Sequence, residues 1–283
     1  MKTKGGIAVV FFFMLSLVAR ATGQTGDRIS VNGEEWILLA KPIETDTLLS
    51  KQVRDLLPED RVISTGNWSG YTAFWELKGD CLYLQRIEVE VTGRKEDNMI
   101  FTPESLKGIF APYYGQDGIC AAWVSGNLRM GKGALVQYHH MGFSRNYETE
   151  CVMKLEDGKM KDRAMFQNSK TPGMDLGEVK SEFIRNFPWK NFPELEGRHI
   201  GFYVDNVALS AEDRAMDFDK VLVYYNTEEG RVYIKDRNHP VVEAFTKVLK
   251  GLHPVIVYHV NGKTSVVYAG HTINVSPAER TEI

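Results

Sequence analysis

Four short turn signals divide much of this chain into strand pairs, and they constrain its fold more than any other feature. Asn32-Gly33, Gly79-Asp80, Asp157-Gly158 and Asn261-Gly262 each lie between two runs that read as strands. Asn-Gly and Asp-Gly tolerate the positive φ that a two-residue hairpin turn requires, and such turns match the twist of the strands they join. The first signal joins Ile29–Val31 to Glu35–Leu39. The second joins a strand with Tyr71, Ala73, Trp75 and Leu77 on one face to a return strand carrying Leu82 and Leu84.

Helical signals punctuate these hairpins. Leu49, Val53, Leu56 and Leu57 follow a Thr45/Asp46 start and precede Pro58, which predicts a helix laid over a sheet. Thr102-Pro103-Glu104 opens a second short helix with Leu106, Ile109 and Phe110 as its buried stripe. Strands are then expected over 119–124, 134–140 and 147–155, with Asp157-Gly158 turning the last into 159–166. A loop-like composition from Gln167 to Gly177 marks a boundary. Beyond it come a helix with Val179, Phe183, Ile184 and Phe187, strands over 199–204, 220–225 and 232–235, and a helix with Val241, Phe245, Val248 and Leu249. A last hairpin turns at Asn261-Gly262. The expected fold is α+β: an antiparallel β-rich domain with short covering helices over 24–170, then a smaller α+β domain over 177–283.

The first 23 residues read as an export signal. Lys2 and Lys4 precede the apolar run from Ile7 to Leu15, and Ala19-Arg20-Ala21 or Ala21-Thr22-Gly23 supplies the small-residue cleavage pattern. The run is shorter than the ~20 apolar residues that span a bilayer, so the expectation is removal, with no membrane span after cleavage and a periplasmic or secreted location.

Composition excludes more than it selects. A net charge of -3 gives no electrostatic basis for holding phosphate backbones, so nucleic acid is not an expected partner. Cys81, Cys120 and Cys151 are too few and too widely spaced for a disulfide scaffold or a zinc pattern; an oxidising compartment permits one bridge with one thiol left over, and the sequence leaves the pairing open. No nucleophile elbow, phosphate loop or dinucleotide fingerprint is present, and no cofactor is expected.

The order hairpin, helix, hairpin across 218–268, with the string Val242 to Lys250 and the turn Val260-Asn261-Gly262-Lys263, resembles the C-terminal domain of the energy-transducing TonB family. The resemblance implies a reused binding module rather than an energy transducer, since the chain has no Pro-rich spacer. In the first half, Asn67 to Leu77, Leu82-Tyr83-Leu84 and His140 to Phe143 are similar to exported bacterial proteins of uncharacterised function, which bring no activity with them.

Three sets of side chains are candidates for a site. His140 with Glu148 and Glu150 would suit acid–base or metal chemistry, because an imidazole can act as a base while a carboxylate orients it. His139 and His140 point to opposite strand faces, so one of them joins a given site, whereas Glu148 and Glu150 share a face. Trp68, Tyr71 and Trp75, flanked by Arg86 and Arg94, would suit an aromatic platform for a sugar ring or a partner's apolar anchor. His253, His259 and His271 are a looser group without metal-ligand spacing. The leading expectation is a non-enzymatic binding or interaction module of the bacterial envelope, with an envelope protein or a glycan as partner. A hydrolase or metal-dependent enzyme built on the His/Glu set and a structural envelope protein are the alternatives.

Overall fold

The computed structural model describes residues 23–93, 98–139, 141–205, 207–209, 214–266 and 272–281. The expected export signal lies outside these residues apart from Gly23. Ten strands form one large sheet: β1 (Asp27–Val31), β2 (Glu34–Leu38), β3 (Thr72–Lys78), β4 (Cys81–Val89), β5 (Met99–Phe101), β6 (Tyr114–Gly115), β7 (Gly118–Cys120), β8 (Gly126–Tyr138), β9 (Arg145–Glu156) and β10 (Lys159–Gln167). Their order is β10, β9, β8, β2, β1, β3, β4, β7, β6, with β5 beside β4. Every pairing is antiparallel except β1 with β3. The sheet also curls back on itself, because Lys159 of β10 pairs with Cys81 of β4.

The turn chemistry acts as its residues dictate. Asn32 and Gly33 take φ of 53° and 80°, Asp157 and Gly158 49° and 72°, and Asn261 and Gly262 51° and 72°; at the second hairpin it is Gly79 that takes the positive value. Helix α1 (Thr47–Leu56) is capped by the Asp46 carboxylate, which accepts from the Leu48 and Leu49 amides at 2.9 and 3.0 Å. It buries Leu49 and Val53 against the sheet and turns Leu56 outward. Helix α2 (Pro103–Leu106) is a single turn, shorter than its apolar stripe suggests; it buries Leu106, and Phe110 is buried in the segment that follows. The strand expected over 119–124 stops at Cys120, and Trp123 beyond it packs against Trp75, Phe110 and Tyr113.

The second half contributes β11 (Ser169–Lys170), α3 (Leu176–Asn186), β12 (Ile200–Asp205), β13 (Ala208–Leu209), β14 (Met216–Asp217), β15 (Lys220–Thr227), β16 (Gly230–Ile234), α4 (Pro240–Lys250), β17 (Val257–Val260), β18 (Lys263–Val266), β19 (Thr272–Val275) and α5 (Pro277–Thr281). Strands β16, β15, β12 and β19 form one antiparallel sheet, and β11, β17 and β18 another. A capping box between Asp175 and Glu178 starts α3. Phe183 of α3 and Phe187 just past its end meet Phe202 of β12, which stacks on Phe245 of α4 at 4.9 Å. One hydrophobic cluster draws on Ile29 to Leu155 and a second on Val179 to Val275. Asn168 joins the segments on either side: its side-chain nitrogen donates to the Tyr147 carbonyl at 2.7 Å, and its side-chain oxygen accepts from the Asn261 amide at 2.8 Å.

A charge sits in the middle of the first cluster. Asp27 is fully buried and Lys41 nearly so, with 3.2 Å between Lys41 Nζ and Asp27 Oδ1. The Asp27 carboxylate also accepts from the Ala73 amide at 3.1 Å and from the Trp75 indole at 3.0 Å. Burial raises the Asp27 carboxyl above the usual carboxylate range, against the opposing pull of Lys41, Trp75 and Ala73. Lys41 donates in turn to the Tyr71 carbonyl at 2.8 Å, and the Tyr71 hydroxyl donates to Glu44 at 2.9 Å.

Two stability predictions follow from these contacts. Lys41→Met strands the Asp27 carboxylate without its cation and should cost about 3–5 kcal/mol in urea unfolding. Lys41→Met combined with Asp27→Leu should cost less than the sum of the two single changes, because the partners are coupled. In the second half, the Lys180 ammonium and then the Ser276 amide hold Glu279 down to about 2 from 4.5. A lowered carboxylate stabilises the fold above its unfolded value and loses that contribution as pH falls toward the folded one. Glu279→Gln should therefore flatten the acid loss of stability between about pH 4.5 and about pH 2, measured by urea midpoints across that window.

Candidate functional site

The sequence-predicted side chains are dispersed by the fold. Tyr71 and Trp75 share a face, and that face is the core: they are 1% and 2% exposed, with their polar atoms bonded to Glu44 and Asp27. Trp68 alone of the three faces solvent, at 66% exposure. An aromatic platform of all three is therefore not what the strand presents, because the alternation that groups Tyr71 with Trp75 also directs both inward.

Glu148 and Glu150 also part company. The Glu150 carboxylate is fully buried, where it accepts from the Asn146 side-chain amide at 3.1 and 3.2 Å and from the Tyr147 amide at 2.9 Å. Gly131 of β8, its register partner, has no side chain, and the Tyr147 ring lies where one would be. Glu148 is exposed and accepts from the Ala134 amide at 2.9 Å. His139 is exposed, and His140 lies outside the described residues. Of the C-terminal histidines, His259 meets the Thr264 hydroxyl at 3.2 Å and His271 lies outside the described residues. Among the described residues no three His, Cys, Asp or Glu side chains gather as a metal site.

A different set of residues converges on the outer face of the same strands. The parallel pairing of β1 with β3 places Arg28 beside Phe74, and the antiparallel pairing of β3 with β4 places Phe74 beside Arg86 and Thr72 beside Glu88. Every second residue of these strands points into the core, so the alternate set Arg28, Thr72, Phe74 and Glu88 points out. The loop 61–70 covers one end of this row. Its path is fixed by the Val62 amide on the Glu90 carbonyl at 2.8 Å and by Gly70, whose φ of 71° and close approach to the Arg61 stem leave no room for a side chain.

The result is a groove of about 390 Å³ whose lining includes Arg28, Ser64, Asn67, Thr72, Glu88 and Glu90. Both donors and acceptors line it. The Arg86 guanidinium stacks on the Phe74 ring at 3.6 Å and donates to Glu88 at 2.7 Å, so the Phe74 wall is braced from below by a charged hydrogen bond. Ser69 donates to the Asn67 side-chain oxygen at 2.9 Å and orients that amide. Trp68 follows Asn67 directly and stands exposed on the same loop. A strand irregularity between Phe74 and Trp75 lies under the groove, a place where such irregularities commonly re-aim side chains.

A larger depression of about 550 Å³ lies between α3 and α4, where Asn186 and Lys247 are the polar side chains of a mostly apolar wall. It lacks the convergent polar groups that orient a ligand. Among the described residues no helix is long and apolar enough to cross a membrane.

Comparison with family models, with curated proteins and with solved structures gives no match. The reading of the site therefore rests on its own geometry.

The buried and exposed aromatics should separate cleanly in experiment. Trp75→Phe removes the indole donor to a buried carboxylate and should cost about 1.5–3 kcal/mol in urea unfolding. Trp68→Ala removes an exposed side chain and should change stability by no more than about 0.5 kcal/mol in the same assay.

Proposed function

We propose that this protein is a non-enzymatic binding module of the bacterial cell envelope, and that the groove across β1, β3 and β4 takes an uncharged, polyhydroxylated ligand such as an envelope glycan. The observation that carries this reading is the composition of the groove: serine, threonine and asparagine groups beside one arginine and two carboxylates, on a floor of three hydrogen-bonded strands. A sugar hydroxyl both donates and accepts, and such a lining can answer it in both senses. Glu88 is paired with Arg86, and Arg28 and Glu90 carry opposite single charges, so the groove has no excess of either sign and a neutral ligand fits better than a phosphate or a carboxylate. Trp68, exposed and next in the chain to the groove residue Asn67, offers an indole face, the kind of surface on which a sugar ring stacks. The envelope location comes from the export signal read in the sequence.

The two groove carboxylates support a second reading. Glu88 near the end of β4 and Glu90 just past it both line this groove, and paired carboxylates across a glycosidic bond are the machinery of glycoside hydrolysis. The distinction is experimental.

Titration of the full chain with a panel of neutral and acidic envelope oligosaccharides, followed by calorimetry, tests both. The binding reading expects a neutral oligosaccharide to bind and to be recovered intact, with at least about tenfold weaker binding in Asn67→Ala and Trp68→Ala, equivalent to about 1.4 kcal/mol each. Recovery of shortened sugars, abolished in Glu90→Gln, would establish the hydrolase instead. Absence of binding by every oligosaccharide in the panel would overturn the glycan reading.

A further inference from the structure

At the far end of β4 from the groove, two cysteines are brought together by strand register. Tyr83 of β4 pairs with Cys120 of β7, Leu84 pairs with Ile119, and the Ala121 amide donates to the Leu82 carbonyl at 2.8 Å. Cys81 therefore stands two residues along from the direct partner of Cys120, and alternation puts both side chains on one face. The right-handed twist of paired strands draws one such diagonal together. The Cys81 thiol is among the groups that raise the Cys120 thiol, as two sulfurs placed on one face of paired strands would. Both residues are half-buried, open enough for a small thiol reagent to reach.

Cys151 is placed otherwise. It is 1% exposed on β9, opposite Met165 of β10, whereas Cys81 meets β10 at Lys159. Those two registers are six residues apart on β10, which at 3.3 Å per residue is roughly 20 Å, far beyond disulfide reach.

We infer that Cys81 and Cys120 are a redox pair that closes to a disulfide in an oxidising compartment, while Cys151 remains a thiol. Closure is a thiol–disulfide exchange with a donor disulfide. One thiolate of the pair attacks a donor sulfur, forming a mixed disulfide and releasing the first donor thiol. The second thiolate then attacks the protein sulfur of that mixed disulfide, the Sγ–Sγ bond forms and the second donor thiol leaves. Two electrons and both thiol protons pass to the donor, which ends as two thiols. Burial and then the Cys81 sulfur push the Cys120 thiol up to about 11, so exchange runs faster in a mildly alkaline medium.

The bond would tie β7, next to the outermost strand β6, to β4. It would also close a loop that contains α2 and the core residue Phe110. The pairing does not depend on what the groove binds.

The test uses the full chain equilibrated with oxidised glutathione, then unfolded, alkylated and mapped by peptide mass spectrometry without reduction. The expected result is a peptide pair linked through Cys81 and Cys120, with a single alkyl group on Cys151. The Cys151→Ser variant should keep the link and Cys120→Ser should lose it. The oxidised chain should also melt several degrees above its reduced form. Three separately alkylated cysteines, stable glutathione adducts on Cys81 or Cys120, or a link that includes Cys151 would each overturn the inference, and the wild-type map alone suffices to read any of them.

Discussion

The carboxylate of Asp27 is the fixed point of the first half. It is fully buried on β1, yet its partners come from the Ala73 backbone, the Trp75 indole and the Lys41 ammonium, so it links the first hairpin to the second across their parallel seam. Removing a charge from water costs several kcal/mol, and hydrogen bonds to a charged group return about 1.5–3 kcal/mol each. Such a junction comes close to break-even as a source of stability. Its larger effect is on register: a slip of β1 against β3 by one residue would send the carboxylate to the wrong face and leave the Ala73 amide and the indole without their acceptor.

The groove depends on that register. Arg28 is the neighbour of Asp27, and its place beside Phe74 exists because β1 and β3 are aligned at that point. The inward residues of the three strands make the core, and the outward ones make the binding surface, so one alternation serves both. The stack of Arg86 on Phe74 and its bond to Glu88 extend the same logic to β4. Pre-positioned polar groups on a rigid floor lower the ordering cost of binding, which is the physical advantage of building such a site on strands rather than on loops alone.

Much of the architecture was legible in the sequence because local chemistry decides it. Asn32-Gly33, Asp157-Gly158 and Asn261-Gly262 turn where positive φ is needed, and α1, α3 and α4 lie where their apolar stripes place them. Strand β8 starts at Gly126, well ahead of the start expected at 134, and it runs through Gly131, where the missing side chain admits the Tyr147 ring. The aromatic group was half legible. Alternation puts Tyr71 with Trp75, and period alone does not say which face is the core. The buried network carried one overlooked signal, since Asp27 is in phase with the inward residues Ile29 and Val31 and a charge in that phase calls for a buried partner. The groove was not legible, because it depends on the nonlocal parallel pairing of β1 with β3.

Native-state hydrogen exchange of the wild-type chain tests the central role of Asp27 most directly, read at the Ala73 amide and the Trp75 indole N–H. Both donate to the same buried carboxylate rather than to a strand neighbour. If Asp27 is the fixed point, both protons exchange only through global unfolding, within about tenfold of the slowest amides of β3 and β4. Exchange of either one many orders of magnitude faster than those amides would show that the junction opens on its own, and that the register of β1 and β3 is held by something else.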